Sequence, residues 1–85
     1  MTGPLAGLRV LELAGIGPAP FAGTLLGDLG ADVVRVDRPG SRPVYGDAEG
    51  ELINRSKRSI AVDLKHPRGR ETVLALVERA DVLLE

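Results

Sequence analysis

Apolar positions along this chain fall into short runs separated by longer, helix-spaced stretches. Leu8, Val10, Leu11 and Leu13 make the first run, broken by Arg9 and Glu12. A Gly/Pro turn follows, from Gly15 to Pro20. Phe21, Ala22, Leu25, Leu26 and Leu29 then recur at i, i+1, i+4, i+5 and i+8, one face of a helix over 21–29. Pro18 or Pro20 suits its first turn, where the missing N–H is not needed. Gly30 suits a left-handed stop. Ala31 to Asp37 predicts the second strand, and Arg58 to Leu64, RSIAVDL, a third. His66 and Pro67 predict the start of a second helix, with Val73, Leu76, Val77 and Ala80 as its apolar stripe. Asp81 to Glu85 opens a fourth strand. Alternating strands and helices of this kind predict an α/β fold with a parallel sheet. Ligands bind such sheets beyond the carboxyl ends of the strands. That edge holds Ala14 to Pro18 after the first strand and Asp37 to Pro39 after the second.

Length narrows the picture. The 85 residues make one small domain at most, marginal on its own. The last strand opens with nothing after it, and a parallel sheet needs cover on both faces. The expectation is therefore an N-terminal fragment, residues 1–85, of a larger domain, poorly folded and without activity alone. A net charge of −1 gives no general case for nucleic acid or membrane as partner. No cysteine and one histidine remove thiolate sites and histidine clusters, so no metal is expected. The N-terminus lacks a leader pattern and no run is long enough to span a membrane, which makes a cytoplasmic protein the default.

Three features are candidates for chemistry. Gly15-Ile16-Gly17 begins like the dinucleotide fingerprint G-x-G-x-x-G, with Asp37 near the position of a ribose-binding acid. Pro20 stands where the third glycine belongs, and Pro18 and Pro20 remove amide donors that a pyrophosphate would use. A turn lining an apolar or amide-bearing ligand fits better than NAD. Arg38, just past the second strand, offers a planar fork for a phosphate. Its competing role is an ion pair with Asp37 or another carboxylate. Arg55, Lys57, Arg58, Lys65, Arg68 and Arg70 form a basic segment opposed locally only by Asp63, pointing either to an anionic small ligand or to a solvated surface. Gly23 and Gly27, four apart on the first helix, suggest close packing against the sheet or a neighbouring helix or, alternatively, against a partner chain. The loop from Gly40 to Arg55 is long enough to be functional. His66 reads as a cap. No acid–base pair, nucleophile set or metal constellation emerges.

Gly3 to Val10 (GPLAGLRV), Glu12 to Pro18 (ELAGIGP), Leu29 to Pro39 (LGADVVRVDRP), Lys57-Arg58-Ser59, Val62 to Lys65 (VDLK) and Ala80 to Glu85 (ADVLLE) together resemble the N-terminus of the CaiB/BaiF family, the class III CoA transferases and their relatives. The ELAGIGP wording is most similar to the racemase branch. The resemblance implies a truncated Rossmann-like CoA-binding domain, an acyl-CoA substrate with no further cofactor, and an interlocked homodimer. It implies α-proton exchange on a 2-methylacyl-CoA by a His and an Asp in the racemases. In the transferases it implies CoA transfer between carboxylic acids through an Asp anhydride. Those catalytic residues would lie beyond Glu85. The CoA contacts it implies here are Ile16, Arg38, Val62, Asp63, Leu64 and Lys65. A nucleotide-binding module without chemistry of its own is the alternative of another class.

Overall fold

The computed structural model describes residues 3–15, 18–40 and 52–85. Most of the 40–55 loop and Ile16 lie outside them. The elements are β1 (Arg9–Leu13), α1 (Pro18–Asp28), β2 (Asp32–Asp37), β3 (Lys57–Ala61), α2 (Pro67–Arg79) and β4 (Val82–Leu84). All pairings are parallel, and the strand order is β3-β2-β1-β4. The chain steps outward from β1 to β2 to β3 and then returns to the other side of β1. Strand order therefore reverses between β1 and β4, and the carboxyl ends beside that point are where such sheets take ligands.

The helices cover opposite faces. Val10 and Val33 point to the α1 side with Ala31, packed by Leu5, Leu8, Leu26, Val82 and Leu84. Leu11, Val36 and Val62 point to the α2 side, packed by Leu13, Val34, Val73, Leu76, Val77 and Ala80. The stripe expected on α2 is thus the one that packs.

Local chemistry sets the element ends. Pro18 opens α1, and Gly30, at φ 104°, closes it, with its N–H donating to Gly27 O at 3.0 Å. His66 caps α2 by accepting from the Arg68 N–H through Nδ1 at 3.1 Å, with Pro67 at the first helical position. Asp81 pins the entry of β4, accepting from Arg9 N–H at 2.9 Å through Oδ2 and donating its own N–H to Arg9 O at 2.8 Å.

Two expectations need correction. The face of α1 that packs down is Pro20, Gly23, Thr24 and Gly27. Phe21, Leu25 and Leu29 are 58%, 47% and 46% exposed. Small residues let the helix approach the sheet closely, and the larger stripe turns outward except for Leu26. Secondly, β3 stops at Ala61 rather than Leu64. The Asp63 carboxylate takes the Lys65 N–H at 3.0 Å, and its carbonyl takes the His66 N–H at 3.1 Å. That local turn removes these amides from the ladder. No helix among the described residues is long and apolar enough to cross a membrane.

Candidate functional site at the carboxyl edge

The parallel register brings the ends of β1, β2 and β3 to one edge. Ala14 N–H donates to Val36 O at 2.9 Å, and Val62 N–H donates to Asp37 O at 2.8 Å. Arg38 and the Val62–Lys65 turn therefore leave adjacent strands side by side. Arg38, Asp63, Leu64 and Lys65 are exposed there. The Val62 side chain is buried at 7% exposure with Leu11 and Val36, so at this edge it anchors the turn from below. Ile16 lies outside the described residues.

The competing role for Arg38 does not hold with Asp37. Arg35 takes Asp37 instead, Nη2 to Oδ2 at 2.7 Å. Among the described residues no carboxylate pairs with Arg38. Half of the basic segment, in contrast, is consumed. Arg55 pairs with Asp28 at 2.7 Å, Lys57 with Glu12 at 2.8 Å and Arg58 with Asp32 at 2.6 Å. Each carboxylate comes from an element distant in sequence, so a scan for nearby acids could not see them. The cations left around the edge are Arg38, Lys65, Arg68 and Arg70.

Beneath the edge, on the α1 side, lies a charged cluster that sequence reasoning missed. Glu12 is fully buried at 0% exposure, and the Lys57 side chain is 1% exposed. Lys57 Nζ donates to Glu12 Oε2 at 3.0 Å and to Pro20 O at 2.9 Å. Glu12 Oε1 is within ion-pair range of the same nitrogen but has no aligned hydrogen bond. Register places Glu12 opposite Arg35. Burial pushes the Glu12 carboxyl above its usual range, with Lys57 and Arg35 opposing and Asp37 adding to the rise. The packed face of α1 brings no titratable side chain. Gly23 explains the fit, since a Cβ there would overlap Glu12 Oε1. Close packing of Gly23 against the sheet is thus the reading that holds, and Gly27 packs likewise against Ser56.

Gly69 in α2 is a second missed position. A Cβ there would collide with the Asp63 carbonyl, a backbone atom that cannot swing away. Gly69→Ala is expected to displace the 62–65 turn and cost about 1–3 kcal/mol, the range for overpacking a filled site. Melting temperature checks the stability loss.

A cavity of about 310 Å³ also exists, but at the amino ends of the strands on the α2 side, lined by Arg9, Asp32, Arg58 and Arg79 among others. It lies away from the convergent strand ends, and Arg58 and Asp32 already pair across it. Among the described residues no cluster suits a metal ion.

Comparison with known proteins adds to this geometry. The sequence profile described as CoA-transferase family III matches residues 5–85. The chain is 49% identical to human alpha-methylacyl-CoA racemase over 81 residues, covering 95% of this chain and 20% of that protein. It is 45% identical to succinyl-CoA:mesaconate CoA-transferase of Haloarcula hispanica over 96 residues, covering 98% of this chain and 24% of that one. The crystal structure of a CAIB/BAIF family protein from Brucella suis superposes with a TM-score of 0.80 at 43% identity, over 98% of this chain and 25% of that chain. The chain thus spans about a fifth to a quarter of the length of these relatives.

Proposed function

Given that the chain belongs to CoA-transferase family III, we propose that it is the CoA-ester-binding portion of a racemase-like enzyme that epimerises 2-methylacyl-CoA by α-proton exchange. The observation that carries the CoA reading is the carboxyl edge itself. Arg38, unclaimed by Asp37, stands beside the 62–65 turn on the carboxyl edge of the sheet, the edge on which parallel sheets take ligands, next to β1 and its β1/β4 switch point. CoA has an anionic nucleotide end and a neutral amide arm. Arg38 and Lys65 suit the phosphates, and a turn poor in N–H donors suits the arm. Ile16 joins the proposal from the family's motif. The ELAGIGP wording and the 49% identity to the human racemase favour proton exchange. A transferase that moves CoA between carboxylic acids is the second reading, favoured by the 45% identity to the mesaconate enzyme.

A bare nucleotide-binding module fits less well, because Pro20, buried at the start of α1, replaces the glycine and the donor that a dinucleotide site needs. In the proposal the described residues bind and orient, and the proton-transfer groups lie outside them. An interlocked homodimer belongs to the same proposal. Incubating the intact protein with a single enantiomer of a 2-methylacyl-CoA in deuterated water tests it. Deuterium at the α-carbon with loss of optical purity is expected. CoA transfer to an added carboxylate without exchange would select the transferase instead.

A further inference from the structure

We infer that the buried Lys57 ammonium is a clasp that holds together the two stems of the β1–α1 turn, making Lys57 and Glu12 positioning residues for CoA. The inference rests on the CoA reading above. One stem is β1, carrying Glu12 just before Ala14. The other is the first turn of α1, carrying the Pro20 carbonyl. A single nitrogen reaches both, at 3.0 Å to Glu12 Oε2 and 2.9 Å to Pro20 O. It comes from β3, across β2, so the turn is also tied to the strand that leads into the 62–65 turn.

Nothing else among the described residues ties the stems so directly. Ala14 is held to β2 by one backbone bond. The Thr24 hydroxyl contacts the Pro20 and Ile53 carbonyls, neither of which belongs to β1. Proline at 18 and 20 removes two of the N–H donors of this first turn of α1. A carboxylate taken fully out of water is costly, and an apolar pair of similar volume often serves stability as well or better. A charged pair in this place is therefore poorly explained by stability alone. Its distinguishing property is directional: the ammonium has three donors and can grip two acceptors from different elements.

The test uses the intact protein and the double variant Glu12→Leu/Lys57→Met, which removes the clasp but fills the space. Melting temperature and calorimetric CoA affinity are read together. A melting temperature near wild type with CoA binding about tenfold weaker is expected, a factor equal to about 1.4 kcal/mol. Glu12→Gln, which keeps one side-chain acceptor for Lys57 beside the Pro20 carbonyl, should bind CoA closer to wild type than the double variant does. Wild-type affinity in the folded double variant would overturn the inference and leave the pair a packing element. If the double variant does not fold, amide exchange in the wild-type protein decides. Saturating CoA should slow exchange at residues 21–24, behind the clasp, as well as at 14–15, and unchanged exchange at 21–24 would overturn it. Wild-type protein that binds no CoA would overturn the CoA reading and this inference with it.

Discussion

Lys57→Met alone is expected to destabilise the intact protein by about 3–5 kcal/mol, the cost of leaving one member of a buried ion pair without its partner. Glu12 has no exposure to fall back on, and its Oε1 already lacks an aligned donor. Arg35, opposite it in register, is engaged with Asp37. The remaining relief is protonation. Burial already raises the Glu12 carboxyl above its ordinary 4.5, and removing Lys57 raises it further. A carboxyl raised in the native state binds more protons there than in the unfolded chain, so stability falls as pH rises from 4.5 through the raised value. The deficit of the variant relative to wild type should therefore be full at about pH 8 and shrink as pH approaches 4.5. Adding Glu12→Leu should recover most of it at pH 8. Urea midpoints of the three proteins at both pH values check this. Equal deficits at the two pH values would mean that lost packing, not an orphaned charge, is the cause.

Arg38→Ala is expected to weaken CoA-ester binding about ten- to a hundredfold. A charged hydrogen bond contributes roughly 1.5–3 kcal/mol, and each 1.4 kcal/mol is a factor of ten. Pro39 keeps the chain extended as it leaves β2, which holds Arg38 at the edge. Since Arg35 already satisfies Asp37, removing the Arg38 guanidinium leaves that carboxylate paired, and stability should change little. Turnover should fall less than affinity, because the proposed proton-transfer groups lie elsewhere. Arg38→Lys should restore only part of the loss, as a point charge does not reproduce the fork. Steady-state kinetics of both variants separate KM from kcat. An unchanged KM in Arg38→Ala would move the phosphate end to other residues.

The parallel α/β architecture was legible because it depends on local signals. Short apolar runs, Pro18 at a helix start, Gly30 at a helix end and His66-Pro67 at the next start each act within a few residues. Arg38 was legible for the same reason, since its place follows from the end of β2. Glu12 was not. In the sequence it interrupts an apolar strand, and the partner that makes it a core residue lies 45 positions away. The basic segment misled for the same reason, since Asp28, Asp32 and Glu12 reach Arg55, Arg58 and Lys57 only through the sheet and the α1 packing. The packed face of α1 is not legible from hydrophobicity. Here closeness decides, and Gly23 and Gly27 permit it against Glu12 and Ser56.

Calorimetric titration of the intact protein with CoA, and in parallel with NAD, tests the central claim most directly. Saturable binding of CoA, weakened at least tenfold in Arg38→Ala, with no measurable heat from NAD, is the expected result. NAD bound as tightly as CoA, or CoA bound equally by the wild type and Arg38→Ala, would contradict it.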